Sequence, residues 1–186
     1  MKMKNNISNI NNNSGIIANN LDVKVIASSF QNSVLAKIIK ILITEGDLIC
    51  EEVPPPYEVK DKILYNNLKI YKDIIYAYYS LSYKCDKILN DLDNNFPSCK
   101  GIILRYINRI YLRAKTKVFN EKKCTNEIEC IRENSDYIFQ LIISELKAFI
   151  NKCEEVKSIE QESIDEYIYI IVIYAFTECK ILERPV

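Results

Sequence analysis

A chain of 186 residues suits one compact domain, and its 48% hydrophobic content is enough to build a core. The 25 Lys+Arg balance the 25 Asp+Glu, which argues against the basic face of a nucleic-acid binder. The absence of His removes the commonest general base and metal ligand, and three scattered glycines (Gly15, Gly46, Gly101) cannot form a phosphate-cradling loop. Enzyme activity, a metal centre and a cofactor are therefore not expected.

Residues 1–20 are Asn-rich and are read as a disordered tail, because they have too little apolar surface to offset the entropy of ordering. They do not resemble an apolar secretory leader. In residues 22–45, Ile26, Phe30, Val34, Leu35, Ile38 and Leu42 recur at mostly helical spacing, with Gly46 as a stop. Pro54-Pro55-Pro56-Tyr57 interrupts helix, since each Pro pushes its predecessor toward extended backbone. A second periodic stretch, about 68–84, carries Ile70, Ile74, Ile75, Tyr78, Tyr79 and Leu81. A polar loop is expected over Asn90–Asn95, and Pro97 is expected to open the next helix. That helix places Ile102, Ile103, Tyr106, Ile107, Ile110 and Tyr111 on one face.

A charged loop, about 116–128, then leads to the clearest helical pattern: Ile138, Leu141, Ile142, Leu146, Phe149, Ile150 and Cys153. Residues 162–178 are apolar nearly all round, which predicts a central buried helix. The longest apolar run, Tyr167 to Phe176, is too short to span a bilayer, which needs roughly 20 residues. The expectation is an all-α domain over 21–186, located inside the cell.

Short motifs each have a plain structural reading. Pro54-Pro55-Pro56-Tyr57 matches the PPxY ligand of WW domains, or is a stiff connector. Asp22 is a candidate helix cap, while Asp91 and Asp93 are expected in a solvated loop. Arg105, Arg109 and Arg113 share a helix face, either solvated or a docking patch for an acidic partner. The seven cysteines include no Cys-x-x-Cys pair, and they are expected to be reduced, mostly as buried apolar groups.

Several blocks follow one another in a familiar order. Pro97-Ser98-Cys99 precedes Tyr106-Ile107-Asn108-Arg109. Asn134-Ser135 precedes Leu141-Ile142-Ile143-Ser144, and Glu154-Glu155 follows. Ser163, Glu166, Phe176 and Leu182 close the series. This order resembles the cyclin box of P-type (Pho-type, plant U-type) cyclins over roughly residues 22–184. Two extra segments fall near 86–96 and 114–132. The chain departs from the family at four places. Asn108 stands for the Asp of Tyr-x-Asp-Arg, Ile150 for a small residue, Asn151 for a Lys on the third box helix, and Ile171 for a Glu on the fifth.

The resemblance implies a cyclin-box-like bundle of five to six helices wrapped around a central third helix, here the one that ends near Cys153. It implies a regulatory subunit that does no chemistry itself. Such a subunit packs on the αC helix of a cyclin-dependent-type protein kinase. Lys152, Asn151, Lys147 and Glu145 would form the docking face, and Arg109 would hold the box together. The alternative is a non-cyclin all-α interaction module that binds a partner helix.

Overall fold

The computed structural model describes residues 35, 36, 39–41, 55–95 and 97–185, and no strand occurs among them. The fold is an all-α bundle. Leu35, Ala36 and Ile39 are helical and buried in the common core, in line with helix at that part of 22–45. The Asn-rich segment 1–20, Asp22, Gly46, Asp47, Cys50 and Pro54 lie outside the described residues.

The first fully described helix, α1 (Tyr57–Tyr65), is one that apolar periodicity misses, because only Val59, Lys62 and Ile63 are buried along it. Pro56 precedes it with extended backbone (φ −64°, ψ 169°) and accepts the Val59 and Lys60 N–H groups at 3.2 Å each. Asn67 ends α1 in the left-handed region (φ 53°). The bonds Asn67 N–H to Leu64 O (3.0 Å) and Leu68 N–H to Ile63 O (3.1 Å) complete a Schellman turn.

α2 (Tyr71–Asn95) is longer than its apolar pattern implies, so the expected loop at Asn90–Asn95 is helix. Ile88 and Leu89 are buried there and Leu92 packs on the core. Asn90 donates to the Asp86 carboxylate at 3.0 Å, one turn back. Burial outweighs the weak helix propensity of Asn and Asp. Asp91 and Asp93 therefore lie on a helix, and Asp93 accepts the Lys100 backbone N–H at 2.8 Å. Ile70, expected on the apolar face, sits just before α2 and is 71% exposed.

α3 (Cys99–Lys122) begins two residues after Pro97, which lies in a turn. Ile103, Ile107, Ile110 and Tyr111 are buried as the spacing predicts. The helix also runs through much of the expected charged loop, because Val118 is fully buried and Phe119 packs on the core. α4 (Glu127–Glu133) follows, capped by the Asn126 side chain, which accepts from Ile128 N–H and Glu129 N–H. Cys124 and Cys130 are joined in a disulfide across this turn, which corrects the expectation of reduced thiols for that pair. Cys85, Cys99 and Cys153 are buried.

α5 (Ser135–Ile150) buries Ile138, Phe139, Ile142, Ile143, Leu146 and Ile150. Leu141 is only half-buried at the edge of that face. A 3₁₀ turn (Glu154–Val156) leads to α6 (Gln161–Thr177), which is buried from Tyr167 to Phe176 except at Tyr169. α6 packs along α2 and also meets α3 and α5. The expectation of a buried final helix holds. α6, not α5, is thus the helix enclosed on nearly every side.

Polar side chains tie the elements together. The Asp136 carboxylate on α5 accepts the Lys69, Ile70 and Tyr71 N–H groups at 3.0–3.1 Å, capping α2 from another helix. The fully buried Asn66 donates to Lys62 O and Glu183 O at 2.8 Å and accepts Glu183 N–H at 3.0 Å. Asn108, where the resembled family has Asp, donates to Lys180 O at 2.7 Å. The Tyr111 hydroxyl donates to Glu183 Oε1 at 2.6 Å. These three side chains hold the segment after α6 against α1 and α3.

Candidate protein-docking face

One face of α5 stays in solvent while the rest of the helix is core. Tyr137, Gln140, Ser144, Ala148 and Asn151 are exposed, at helical spacing. The small Ser144 and Ala148 leave the middle of this stripe low, so a second helix can approach closely there. An ion pair borders each side. Toward α3, Glu145 binds Arg113. Toward α6, Lys147 Nζ lies 2.7 Å from Asp165 Oδ2.

Aromatic rings back both borders. Phe149 packs against Tyr106 with ring centroids 5.1 Å apart. Burial first, then the Glu145 charge, pushes the Tyr106 hydroxyl up to about 12, so it stays a neutral donor. On the other side, the Lys147 ammonium lies 5.9 Å from the Tyr169 ring centroid, and Tyr169 stacks on Tyr78 at 6.1 Å. Burial and then the Glu166 carboxylate raise the Tyr78 hydroxyl above its ordinary value. The α6 edge of the face thus carries Asp165, Glu166 and Tyr169.

The structure places the four expected docking residues, and Arg109 with them, unevenly. Asn151 caps the C-terminus of α5 and is exposed within the stripe, with exposed Lys152 next to it. Glu145 and Lys147 stand on opposite borders, each already in an ion pair. Arg109 is exposed on α3, so it does not hold the bundle together; Asn108 beside it does. Arg105, Arg109 and Arg113 are all exposed, as their shared face predicts. Ile171 is 2% exposed and faces the core, so it offers nothing to a partner at that position. Arg113, Asp165 and Tyr169 join the face only through contacts between helices, which local spacing does not encode.

At the Pro-rich segment, Pro55 is buried and Tyr57 is 74% exposed as the first residue of α1. A WW groove takes an extended ligand through its tyrosine. Binding there requires the first turn of α1 to unwind.

Among the described residues, no group of three or more Cys, Asp or Glu could hold a metal ion. No described helix is long and apolar enough to cross a membrane. No family model matches the chain, and no curated protein or solved structure is significantly similar to it.

Proposed function

We propose that the chain is a non-catalytic protein-interaction module that offers the exposed face of α5 to a helix of its partner. The observation that carries this reading is an exposed stripe, low in its middle at Ser144 and Ala148 and bordered by two ion pairs of opposite layout. A basic group stands on the α3 side as Arg113 and on the α6 side as Lys147, each with a carboxylate neighbour. A docked helix could exchange these intramolecular pairs for intermolecular ones without leaving a charge unpaired, which keeps the desolvation cost low.

The sequence resemblance to P-type cyclins supports a narrower partner, the αC helix of a cyclin-dependent-type protein kinase. Lys152 and Asn151 lie at the end of the stripe, where the resembled family contacts the kinase. The burial of Ile171 supports binding without full activation, because the second contact of that family has no counterpart on this surface. The enclosure of α6 rather than α5 favours the broader reading, an all-α module whose partner is a helix of another protein.

Affinity capture with the tagged chain, followed by a kinase assay of the eluate, tests both. Recovery of a cyclin-dependent-type kinase that is lost on Ala148→Arg supports the kinase reading. A helical partner other than a kinase, lost in the same variant, leaves the module reading and removes the kinase. Capture that Ala148→Arg leaves unchanged contradicts the docking face itself.

A further inference from the structure

The turn between α3 and α4 carries a covalent bond that the docking face does not use. Lys123 turns the chain there with φ 51°, and Cys124 N–H bonds back to Phe119 O at 3.3 Å. Cys124 is joined to Cys130, six residues on. Among the described residues this is the one bonded pair, while Cys85, Cys99, Cys153 and Cys179 are thiols. A disulfide that closes so short a loop stabilises a fold less than one that joins distant segments. The bundle core extends far beyond it, through α2, α3, α5 and α6. Opening this bond is therefore a local event.

The bond is also within reach of solvent. Cys130 is 3% exposed, but Cys124 is only half-buried. Both line an open cavity of about 470 Å³ beside Lys122, Lys123, Glu129 and Glu133. A thiol entering this cavity meets the Cys124 sulfur first. The helix that the bond holds depends on such ties. α4 has seven residues, and a helix this short does not persist in water by itself. Its other ties are the Asn126 cap, the buried Ile131, the Lys115 ammonium 2.5 Å from Glu127 Oε1, and Arg132 at 5.4 Å from the Tyr65 ring centroid. Exposed ion pairs and cation–π contacts of this kind contribute little each.

We propose that the Cys124–Cys130 bond is a reversible redox switch that sets the order of α4, opened by a dithiol and closed by a disulfide. The dithiol's thiolate attacks the Cys124 sulfur, a mixed disulfide forms, and Cys130 leaves as a thiolate that takes up a proton. The second thiol of the dithiol then displaces Cys124, which is protonated in turn. The protein pair gains two electrons and two protons, and the dithiol loses both as it becomes a cyclic disulfide. In the bonded state α4 presents Ile128, Glu129, Arg132 and Glu133 as one fixed surface. In the dithiol state that surface loosens. The change stops at α5, which its own core side chains and the Asp136 contacts with α2 hold in place. The switch shares no residue with the exposed stripe of α5.

Dithiothreitol on the folded chain, alkylation and peptide mass spectrometry read out each cysteine, with amide exchange measured on the same samples. Cys124 and Cys130 should become alkylated while exchange in α2, α5 and α6 stays unchanged. Exchange over Glu127–Glu133 should rise several-fold, and should return to its first value when oxidised dithiothreitol rejoins the pair. Cys124→Ala, which cannot form the bond, should match the reduced wild type in α4 with or without dithiothreitol. A bond that opens only after the bundle is unfolded in urea overturns the proposal. So does reduction that leaves exchange in α4 unchanged, reduction that unfolds the whole bundle, or a reduced pair that does not rejoin in the folded chain.

Discussion

Asp136 accepts three N–H groups at the start of α2 although it belongs to α5. Its loss would leave those donors without a cap and loosen two helices at once. Asp136→Ala should cost about 1–2 kcal/mol in chemical denaturation, at the upper part of the range for a helix cap. A cost near zero would show that water replaces the carboxylate there. Lys62 makes a prediction about pH. Its ammonium titrates near 8 in the folded chain, against about 10.4 when unfolded. Between these values the unfolded chain keeps a proton that the folded chain has released, so this group makes stability rise with pH. Burial pushes the Cys85 thiol up, and that group acts in the opposite sense as its unfolded form ionises. The difference between wild type and Lys62→Met removes the Cys85 contribution. It should shift toward the wild type from about pH 8 to about pH 10, by at most about 1.4 kcal/mol per pH unit. A difference that does not change over this range would contradict the assignment.

Among the elements, α5 and α6 were the most legible in the sequence, because long apolar patterns with a 3.6-residue period locate helices directly. The same pattern is less sure of the edges. Leu141 fits the periodicity as well as Ile142 does, yet Ile142 is fully buried and Leu141 half-buried. Ile142→Ala should cost about 2–5 kcal/mol, and Leu141→Ala clearly less. Equal losses of thermal stability would mean that the helix is rotated relative to this description. α1 was not legible because its nine residues are too short a stretch to show a helical period, and Leu64, apolar like Ile63, is exposed. The ends of α2 and α3 were not legible because their Asn, Asp, Lys and Thr residues read as loop until tertiary contacts decide. The pairing of Cys124 with Cys130 belongs to the same class, since α4 folds back to bring the two Cα atoms to 5.8 Å. The bond ties this short helix to the end of α3 and closes a short loop. Cys124→Ala should lower stability by about 2 kcal/mol, with faster amide exchange concentrated in α4. Unchanged exchange in α4 would show that Ile131 and the Asn126 cap hold it unaided.

For the whole molecule, helix class and a common core follow from composition and periodicity, whereas the order of burial does not. A sequence pattern marks α6 as apolar all round, but its position between α2, α3 and α5 arises from packing. The proposed docking face was legible in part. Of the residues that the resemblance to P-type cyclins singles out, Asn151 and Lys152 are exposed, and Glu145 and Lys147 border the stripe. Arg113 and Asp165 complete it through partners on other helices. Arg109 stands apart because a residue's neighbour on a helix, here Asn108, can face inward while it faces out. The central claim is that a partner helix lies along α5 between these two ion pairs. Amide hydrogen exchange of the chain with and without its purified captured partner tests it most directly. Added protection in α5 from Gln140 to Lys152 and in the first turns of α6 is the predicted result. Protection confined to α1 or α4, with α5 unchanged, would contradict it.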